Sequence, residues 1–239
     1  MVDLSKMTKK DVGRLFDYSV LPKNTQEKDI RKGCKEAIKY NCASFYSSSP
    51  YYAPIIAEEL KGTDILVGGA IGFPFGAQPS KVKAYETKVA VQSGCTTVDT
   101  VMNIGALKDK NYDVVRQELK DFVNAADGIV TKVILELCFL TDEEIEIGSK
   151  LIAEAGAGWC KTSSGQFEGP SMKQFLVMKK AVEGMDVKLK VAGVKFPRAQ
   201  NAYAFILAGA ELIGTRAAPE IIDSLDMLRE IGMVPKYKG

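Results

Sequence analysis

The chain has 239 residues, of which 46% are hydrophobic and 26% are charged, an ordinary composition for a globular protein and close to the roughly 250 residues of one α/β barrel. Its 32 basic and 30 acidic side chains give a net charge of +2, which argues against nucleic acid or an anionic membrane as the main partner. It contains no histidine, which excludes Ser-His and Cys-His nucleophilic pairs and argues against a zinc-dependent enzyme.

Short apolar runs rich in β-forming residues recur along the chain, and each is followed by a stretch with helical periodicity. This alternation is typical of βα units built around a parallel sheet. Eight such units favour a closed (β/α)₈ TIM barrel of the α/β class, because an open doubly wound sheet usually has fewer strands and a glycine-rich fingerprint after the first. The predicted strands span residues 15–20, 43–47, 65–72, 97–103, 131–137, 158–162, 189–192 and 211–214.

Four of the intervening helices begin after residues that commonly cap helices. The predicted caps and helices are Thr25 before 27–40, Ser80 before 81–93, Thr141 before 142–154 and Ser171 before 172–183. No Pro- or Ser-rich linker divides the chain, so residues 1–239 are expected to form a single domain. The polar segment 233–239 is expected to be a flexible tail.

The cysteines indicate a reducing compartment. There are five of them, an odd number, and most lie inside apolar runs, which fits packed thiols better than disulfides. The N-terminus lacks an apolar leader, and no run approaches the roughly 18 apolar residues of a membrane span. We therefore expect a cytoplasmic protein with no membrane partner. A homodimer stays open, since no helix shows a clear apolar interface.

Ionisable residues inside or just after the predicted strands are the candidate site, because the active site of such a barrel lies at the carboxyl ends of its strands. Taken singly, each is more often solvated or paired than functional. Together, charges from five strands converge on one mouth. The set comprises Asp17, Asp99, Lys132, Glu136, Lys161 and Lys190.

Two of these residues form a lysine pair on neighbouring strands. A lysine amine is a poor nucleophile at its ordinary pKa of about 10.4, and burial beside a second cation lowers that pKa. Lys161 and Lys190 would supply such a pair, and Asp99 across the barrel would move protons at the reacting carbon. Lys132 and Glu136 lie four residues apart on one predicted strand, which favours an inward pair, either catalytic or purely structural.

Several segments resemble deoxyribose-phosphate aldolase, a class I aldolase, over nearly the whole chain. The first strand Phe16-Asp17-Tyr18-Ser19 is similar to the family's, although Tyr18 stands where the family usually has histidine. Four further segments match family motifs, and together they are far more specific than any one alone. They are Ile71-Gly72-Phe73-Pro74-Phe75-Gly76-Ala77, Val98-Asp99-Thr100-Val101-Met102-Asn103-Ile104-Gly105-Ala106-Leu107, Lys132-Val133-Ile134-Leu135-Glu136 and Lys161-Thr162-Ser163-Ser164-Gly165.

The resemblance implies a role for each residue that it matches. Lys161 would form the Schiff base, Lys190 would be the second lysine and Asp99 the proton-transfer acid. The implied reaction is reversible cleavage of 2-deoxy-D-ribose 5-phosphate to acetaldehyde and D-glyceraldehyde 3-phosphate, with no metal or organic cofactor. Asp17, Lys132 and Glu136 are expected to contact or position the substrate.

The segments that would hold the phosphate depart from the family pattern. The family has a Gly-Gly pair after the second lysine, where this chain has Gly193-Val194, and a Gly-x-Ser-Ser turn after strand eight, where it has Gly214-Thr215-Arg216-Ala217. Arg216 would grip the phosphate through its planar guanidinium, assisted by Thr162 or Lys195. Alternatively, the Schiff-base chemistry serves another sugar or aldehyde acceptor, which need not be phosphorylated.

Two other functions also remain open. A barrel sugar-phosphate isomerase or epimerase would rely on carboxylates such as Asp99 and Glu136, and a non-catalytic barrel would only bind a ligand.

Some relatives are thought to use a terminal tyrosine in proton transfer, which would give Tyr237 a role, although a frayed tail is the simpler interpretation.

Overall fold

The computed structural model describes residues 2–239, and its eight parallel strands close into a barrel in the order β1 to β8. This confirms the (β/α)₈ fold expected from the alternation of strands and helices. The strands are β1 (Phe16–Val20), β2 (Ser44–Ser47), β3 (Leu66–Ile71), β4 (Thr97–Val101), β5 (Val130–Ile134), β6 (Trp159–Lys161), β7 (Lys188–Ala192) and β8 (Leu212–Thr215).

Eleven α-helices lie among the described residues, and those between strands pack against the outside of the barrel. They are α1 (Lys9–Gly13), α2 (Glu27–Lys39), α3 (Ala53–Glu59), α4 (Ser80–Gln92), α5 (Ile104–Lys108), α6 (Tyr112–Ala125), α7 (Asp142–Glu154), α8 (Met172–Ala181), α9 (Arg198–Ala208), α10 (Ala218–Asp223) and α11 (Leu225–Glu230). Short 3₁₀ helices occupy Leu4–Lys6, Pro50–Tyr52 and Leu137–Phe139.

The apolar core lies between the sheet and these helices, because side chains alternate between the two faces of each strand. Outward-facing strand residues such as Phe16, Phe45 and Val98 are fully buried against helices. Tyr18 also faces outward: its hydroxyl donates to the carboxylate of Glu36 on α2. The position that departs from the family's histidine therefore lies on the outer face of the barrel.

Local capping chemistry explains two predicted helix starts and corrects two others. Thr141 and Ser171 form capping boxes at α7 and α8, each reciprocated by the residue three positions on. Ser80, expected to be a cap, is the first residue of α4 after Pro79, and its hydroxyl donates to Asp121 at 2.6 Å. Thr25 is also not the cap, since α2 begins after Gln26, whose partner is Asp29.

All five cysteines are free thiols, as expected, and four of them are buried. Among residues 2–239, no helix has the length and apolar character needed to cross a bilayer. The segment 233–239 is anchored at two points: Val234 is buried, and the backbone N–H of Lys238 donates to the Ser5 carbonyl at 2.8 Å. The flexibility of this tail stays a prediction.

Candidate active site

The interior of the barrel carries a layer of buried polar side chains. In most barrels the inward positions are filled by branched aliphatic residues, but six strands of this barrel point hydroxyl or charged groups inward. A buried charge is costly unless it is paired, so this layer needs a functional reason. Its members are Asp17, Ser44, Tyr46, Thr97, Asp99, Lys132, Lys161 and Lys190, all at most 7% exposed.

Asp99 accepts hydrogen bonds from three other side chains of this layer. It occupies the middle of β4, and its Oδ2 accepts hydrogen bonds from the ammonium groups of Lys161 at 2.6 Å and Lys190 at 2.8 Å. Its Oδ1 accepts from the hydroxyl of Tyr46 at 2.6 Å. The two lysines come together because Lys161 and Lys190 are register partners on β6 and β7.

Asp17 is the second carboxylate of the layer. Its Oδ2 lies 2.8 Å from the Nζ of Lys132 and 2.6 Å from that of Lys190, and its Oδ1 accepts from the hydroxyl of Ser44. Burial alone would raise the pKa of Asp17, but Lys132 and Lys190 outweigh it and hold that pKa at about 2. Asp17 therefore stays ionised and holds Lys190 charged.

The two lysines of the pair differ in their electrostatics. Burial lowers the pKa of Lys161 to about 8, against the attraction of Asp99 and with the help of Lys190. Burial acts the same way on Lys190, but Asp17 and Asp99 together outweigh it and raise its pKa above the ordinary lysine value. Lys161 is thus the lysine prepared to act as a free amine, and Lys190 remains a cation.

A cavity of about 430 Å³ opens above this layer at the carboxyl ends of the strands. Asp17, Asp99, Lys161 and Lys190 all line it, so it gives solvent and ligands access to the amine of Lys161. Its upper walls include the loops that follow β6 and β7 and the end of β8. Gly193, Gly214, Thr215 and Arg216 belong to these walls, together with Gly165 and Arg198.

Gly165 and Gly193 line one wall of the cavity, and Gly169 packs against Gly193, so backbone without side chains comes together there. A Cβ on Gly169 would lie 1.7 Å from the carbonyl oxygen of Gly193, and Gly193 itself has a φ of +73°. A Cβ on Gly165 would lie 3.9 Å from the backbone nitrogen of Gly193. Arg198 and Arg216 line the same cavity, so this wall combines glycine backbone with positively charged residues and suits an anion.

A cluster of three phenylalanines, here called the aromatic rim, lies at the mouth of the cavity. Phe75, Phe139 and Phe167 follow β3, β5 and β6, and they are 70%, 47% and 37% exposed. The ring of Phe167 packs edge-on against Phe139 at a centroid distance of 5.2 Å and against Phe75 at 6.2 Å. Phe167 also lines the cavity, so the rim is continuous with the site.

Three residues expected to bind substrate do not line the cavity. Thr162 bridges the ends of β6 and β7, donating to the carbonyl of Ala192 at 3.2 Å and accepting from its N–H at 3.0 Å. Lys132 lies below the cavity against Asp17. Glu136 accepts from the backbone N–H of Ser164 at 3.0 and 3.2 Å, and so holds the loop that follows Lys161.

The expected inward pair of Lys132 and Glu136 is wrong. Strand β5 ends at Ile134, and Glu136 adopts a left-handed conformation with a φ of 56° ahead of the 3₁₀ helix. The alternation of a strand therefore does not extend to Glu136, and no ion pair joins it to Lys132 within the described part of the chain. Lys195 is likewise engaged elsewhere, in an exposed ion pair with Glu168 at 2.6 Å.

Sequence reasoning missed Tyr46, Ser44 and Arg198. Ser44 and Tyr46 lie two residues apart on β2, the spacing of one strand face. Because they carry no charge at neutral pH, a search for ionisable residues passes over them. Arg198 begins α9 after Pro197, and only the folded structure brings it to the cavity.

The arrangement can carry out amine chemistry at a carbonyl carbon. It presents a buried lysine with a lowered pKa, a second lysine with a raised pKa and a carboxylate in contact with both. These are the parts needed to form and break a Schiff base with proton transfer at the same carbon.

No family model matches the chain, but it is similar in sequence and in structure to deoxyribose-phosphate aldolases. It is 38% identical over 214 residues to deoxyribose-phosphate aldolase of Clostridium tetani, covering 89% of this chain and 98% of the relative. It is 41% identical over 211 residues to deoxyribose-phosphate aldolase of Streptococcus sanguinis, covering 88% and 95%. The structure resembles the tetrameric deoxyribose phosphate aldolase of Aeropyrum pernix, with a TM-score of 0.83 and 25% identity over 92% of this chain and 93% of that one.

Proposed function

The chain belongs to the deoxyribose-phosphate aldolase family, and from that premise we propose that Lys161 is the Schiff-base lysine of a class I aldehyde-lyase. Its substrate is 2-deoxy-D-ribose 5-phosphate, which it cleaves reversibly to acetaldehyde and D-glyceraldehyde 3-phosphate. The observation that carries the assignment is that Lys161 lines the cavity with a pKa lowered to about 8. We also place the protein in the cytoplasm, which its free thiols support.

The chemistry follows from the contacts of Lys161. Its free amine attacks the aldehyde carbon of the open-chain sugar, and loss of water from the carbinolamine gives the iminium ion. Removal of the proton from the C3 hydroxyl breaks the C2–C3 bond, so that glyceraldehyde 3-phosphate leaves and an enamine remains on Lys161. Protonation of the enamine and hydrolysis release acetaldehyde. Asp99, which contacts the amine of Lys161, and Lys190, which contacts the same oxygen of Asp99, supply and accept these protons.

The trapping experiment uses acetaldehyde and borohydride, with the modified peptide located by mass spectrometry. We expect one stable ethyl group on Lys161, and none at that position in Lys161→Arg, which should also lose cleavage activity. Lys188→Arg is the matched control, since Lys188 is exposed at the start of β7 and should trap normally at Lys161. An unmodified Lys161, or a Lys161→Arg variant that keeps most of its activity, would instead favour the isomerase or epimerase alternative.

A second candidate function shares this lysine but takes a different acceptor. The aromatic rim gives the mouth an exposed apolar surface, and Arg198 and Arg216 give the cavity positive charge. Exposed apolar clusters of this kind commonly mark ligand sites. An aldehyde with an apolar body would pack on the rim, whereas a phosphorylated acceptor would bind the arginines.

Two variants separate the two acceptors in the direction of aldol addition. Arg216→Ala should raise the KM for glyceraldehyde 3-phosphate by about tenfold, because a charge-assisted contact is lost, and should leave addition to benzaldehyde nearly unchanged. Phe167→Ala should raise the KM for benzaldehyde and leave the KM for glyceraldehyde 3-phosphate nearly unchanged. Phe196→Ala, which removes an 80% exposed ring outside the rim, is the control. Equal effects of Phe167→Ala on both acceptors would contradict a separate apolar subsite.

The oligomeric state belongs to the same proposal. A homodimer is the state we propose, and barrels commonly pair through exposed helix faces. Light scattering across a range of protein concentrations tests it, and a monomer would contradict it.

A further inference from the structure

Tyr46 lies at the centre of the buried polar layer. Its hydroxyl donates to Oδ1 of Asp99 at 2.6 Å and lies 3.0 Å from the hydroxyl of Thr97. The residue is 4% exposed, on β2, and lines the cavity. We propose that Tyr46 is a positioning residue that fixes the carboxylate of Asp99 and thereby keeps the amine of Lys161 free for Schiff-base formation.

The first step of the argument is the charge balance of the layer. Three ammonium groups share two carboxylates, Asp17 and Asp99. Lys190 contacts both carboxylates, and Lys132 contacts Asp17, whereas Lys161 contacts Asp99 alone. Asp99 is therefore the carboxylate in contact with Lys161, and its charge opposes the loss of the proton that burial favours.

The second step is the protonation of Tyr46. Burial, together with the charges of Asp99 and Asp17, raises the pKa of Tyr46 well above its ordinary value. The hydroxyl consequently stays protonated and acts as a donor to Asp99. It also accepts a hydrogen bond from the Nζ of Lys132 at 3.1 Å, which polarises the hydroxyl and strengthens its own donation. The hydroxyl of Tyr46 therefore links the ammonium group of Lys132 to Oδ1 of Asp99 through two hydrogen bonds.

The third step is the fixed pose of the ring. A Cβ on Gly68 would lie 2.5 Å from ring atoms of Tyr46, so the ring packs directly on the backbone of β3. The ammonium groups of Lys190 and Lys132 lie 4.6 and 5.1 Å from the ring centroid, which adds cation–π attraction. The hydroxyl of Tyr46 therefore has little freedom to turn away from Asp99. Oδ1 of Asp99 stays bonded to this hydroxyl, and only Oδ2 faces the ammonium groups of Lys161 and Lys190.

Tyr46→Phe tests this role through the pH dependence of kcat/KM. Without the hydroxyl, the negative charge of Asp99 is less neutralised and attracts the Lys161 proton more strongly, so the pKa of Lys161 rises. We expect the acidic limb of the profile to move up by about one pH unit, with kcat/KM about tenfold lower at pH 7 and largely restored above pH 9. Tyr18→Phe is the matched control, because it also removes a tyrosine-to-carboxylate hydrogen bond from a strand, but on the outer face.

A second replacement covers the case in which Tyr46→Phe fails to fold. Site-specific incorporation of 3-fluorotyrosine at position 46 keeps the ring and makes the hydroxyl a stronger donor, so the same limb should move to lower pH. A limb that stays in place in both proteins, or that moves equally in Tyr18→Phe, would overturn the proposal, even if turnover or melting temperature fell.

The inference rests on the proposed function, and the two fail in different ways. If borohydride does not modify Lys161 in the unaltered protein, the aldolase mechanism itself is wrong. If Lys161 is modified but the pH dependence of trapping is the same with and without the Tyr46 hydroxyl, only the role of Tyr46 is wrong.

Discussion

At the scale of single residues, the environment rather than the residue type separates three buried lysines. Lys161 and Lys190 are both at most 7% exposed and contact the same oxygen of Asp99, yet burial lowers the pKa of Lys161 whereas two aspartates raise that of Lys190. For Lys132, burial outweighs the attraction of Asp17 and lowers the pKa. Of these three, Lys161 lines the cavity with a lowered pKa.

The first prediction concerns the pH dependence of the unaltered enzyme. Lysine reacts as the free amine, which forms as the pH rises through its pKa, here about 8. We expect kcat/KM for cleavage to rise about tenfold per pH unit below this value and to level off above it, because kcat/KM reports the groups of the free enzyme. Rates measured between about pH 6 and pH 10 test this, and a midpoint near the ordinary lysine value would contradict it.

At the scale of secondary-structure elements, a second buried ion pair supports the strand that carries Asp99. Lys83 on α4 and Glu118 on α6 lie 3.0 Å apart, with side chains 1% and 3% exposed. Lys83 donates to the carbonyl of Val101 at 2.7 Å, and Glu118 accepts from the N–H of Asn103 at 3.0 Å. The pair therefore ties two helices to the carboxyl end of β4.

The second prediction follows from this pair. Lys83→Met leaves the buried carboxyl of Glu118 without its partner, which should reduce the free energy of unfolding by about 3–5 kcal/mol. Urea denaturation followed by circular dichroism measures this loss. Lys108→Met is the control, since its ion pair with Glu144 at 3.0 Å is largely exposed and should cost at most about 1 kcal/mol. A loss as small as the control's would show that the buried pair does not support β4.

At the scale of the whole molecule, the two ends of the chain meet away from the catalytic mouth. The guanidinium of Arg229 donates to the carbonyls of Leu4 and Met7 at 2.9 and 2.7 Å and lies 5.7 Å from the ring centroid of Tyr237. Leu4 and Ser5 precede β1, so they lie at the amino-terminal end of the barrel. Tyr237 is therefore held at the end opposite to Lys161.

The third prediction concerns this tail. Deleting residues 236–239 should leave kcat for deoxyribose 5-phosphate cleavage within about twofold of the full-length value, because terminal residues that do not reach the site are dispensable. Steady-state kinetics at saturating substrate measures this. A loss of kcat with unchanged trapping of Lys161 would instead indicate that Tyr237 reaches the site during turnover, and Tyr237→Phe would then reproduce the loss.

The eightfold alternation, most strand positions and the residues that resemble family motifs could be predicted from the sequence, because these depend on local periodicity and on short segments of the chain. The sequence also placed Asp99, Lys161 and Lys190 on separate strands. The prediction from sequence that Glu136 faces inward with Lys132 is wrong, since the alternation of a strand holds only while the strand continues, and β5 ends two residues before Glu136.

Which side chains come into contact depends on the fold of the whole chain. The register of β6 against β7 sets Lys161 beside Lys190, and the closure of the barrel brings Asp17 of β1 within reach of Lys132 of β5, 115 residues away in sequence. Tyr46 joins the layer for the same reason. A pKa depends on distances and burial in the folded chain, so the preparation of Lys161 as a free amine is a property of the closed barrel and not of any segment of the sequence.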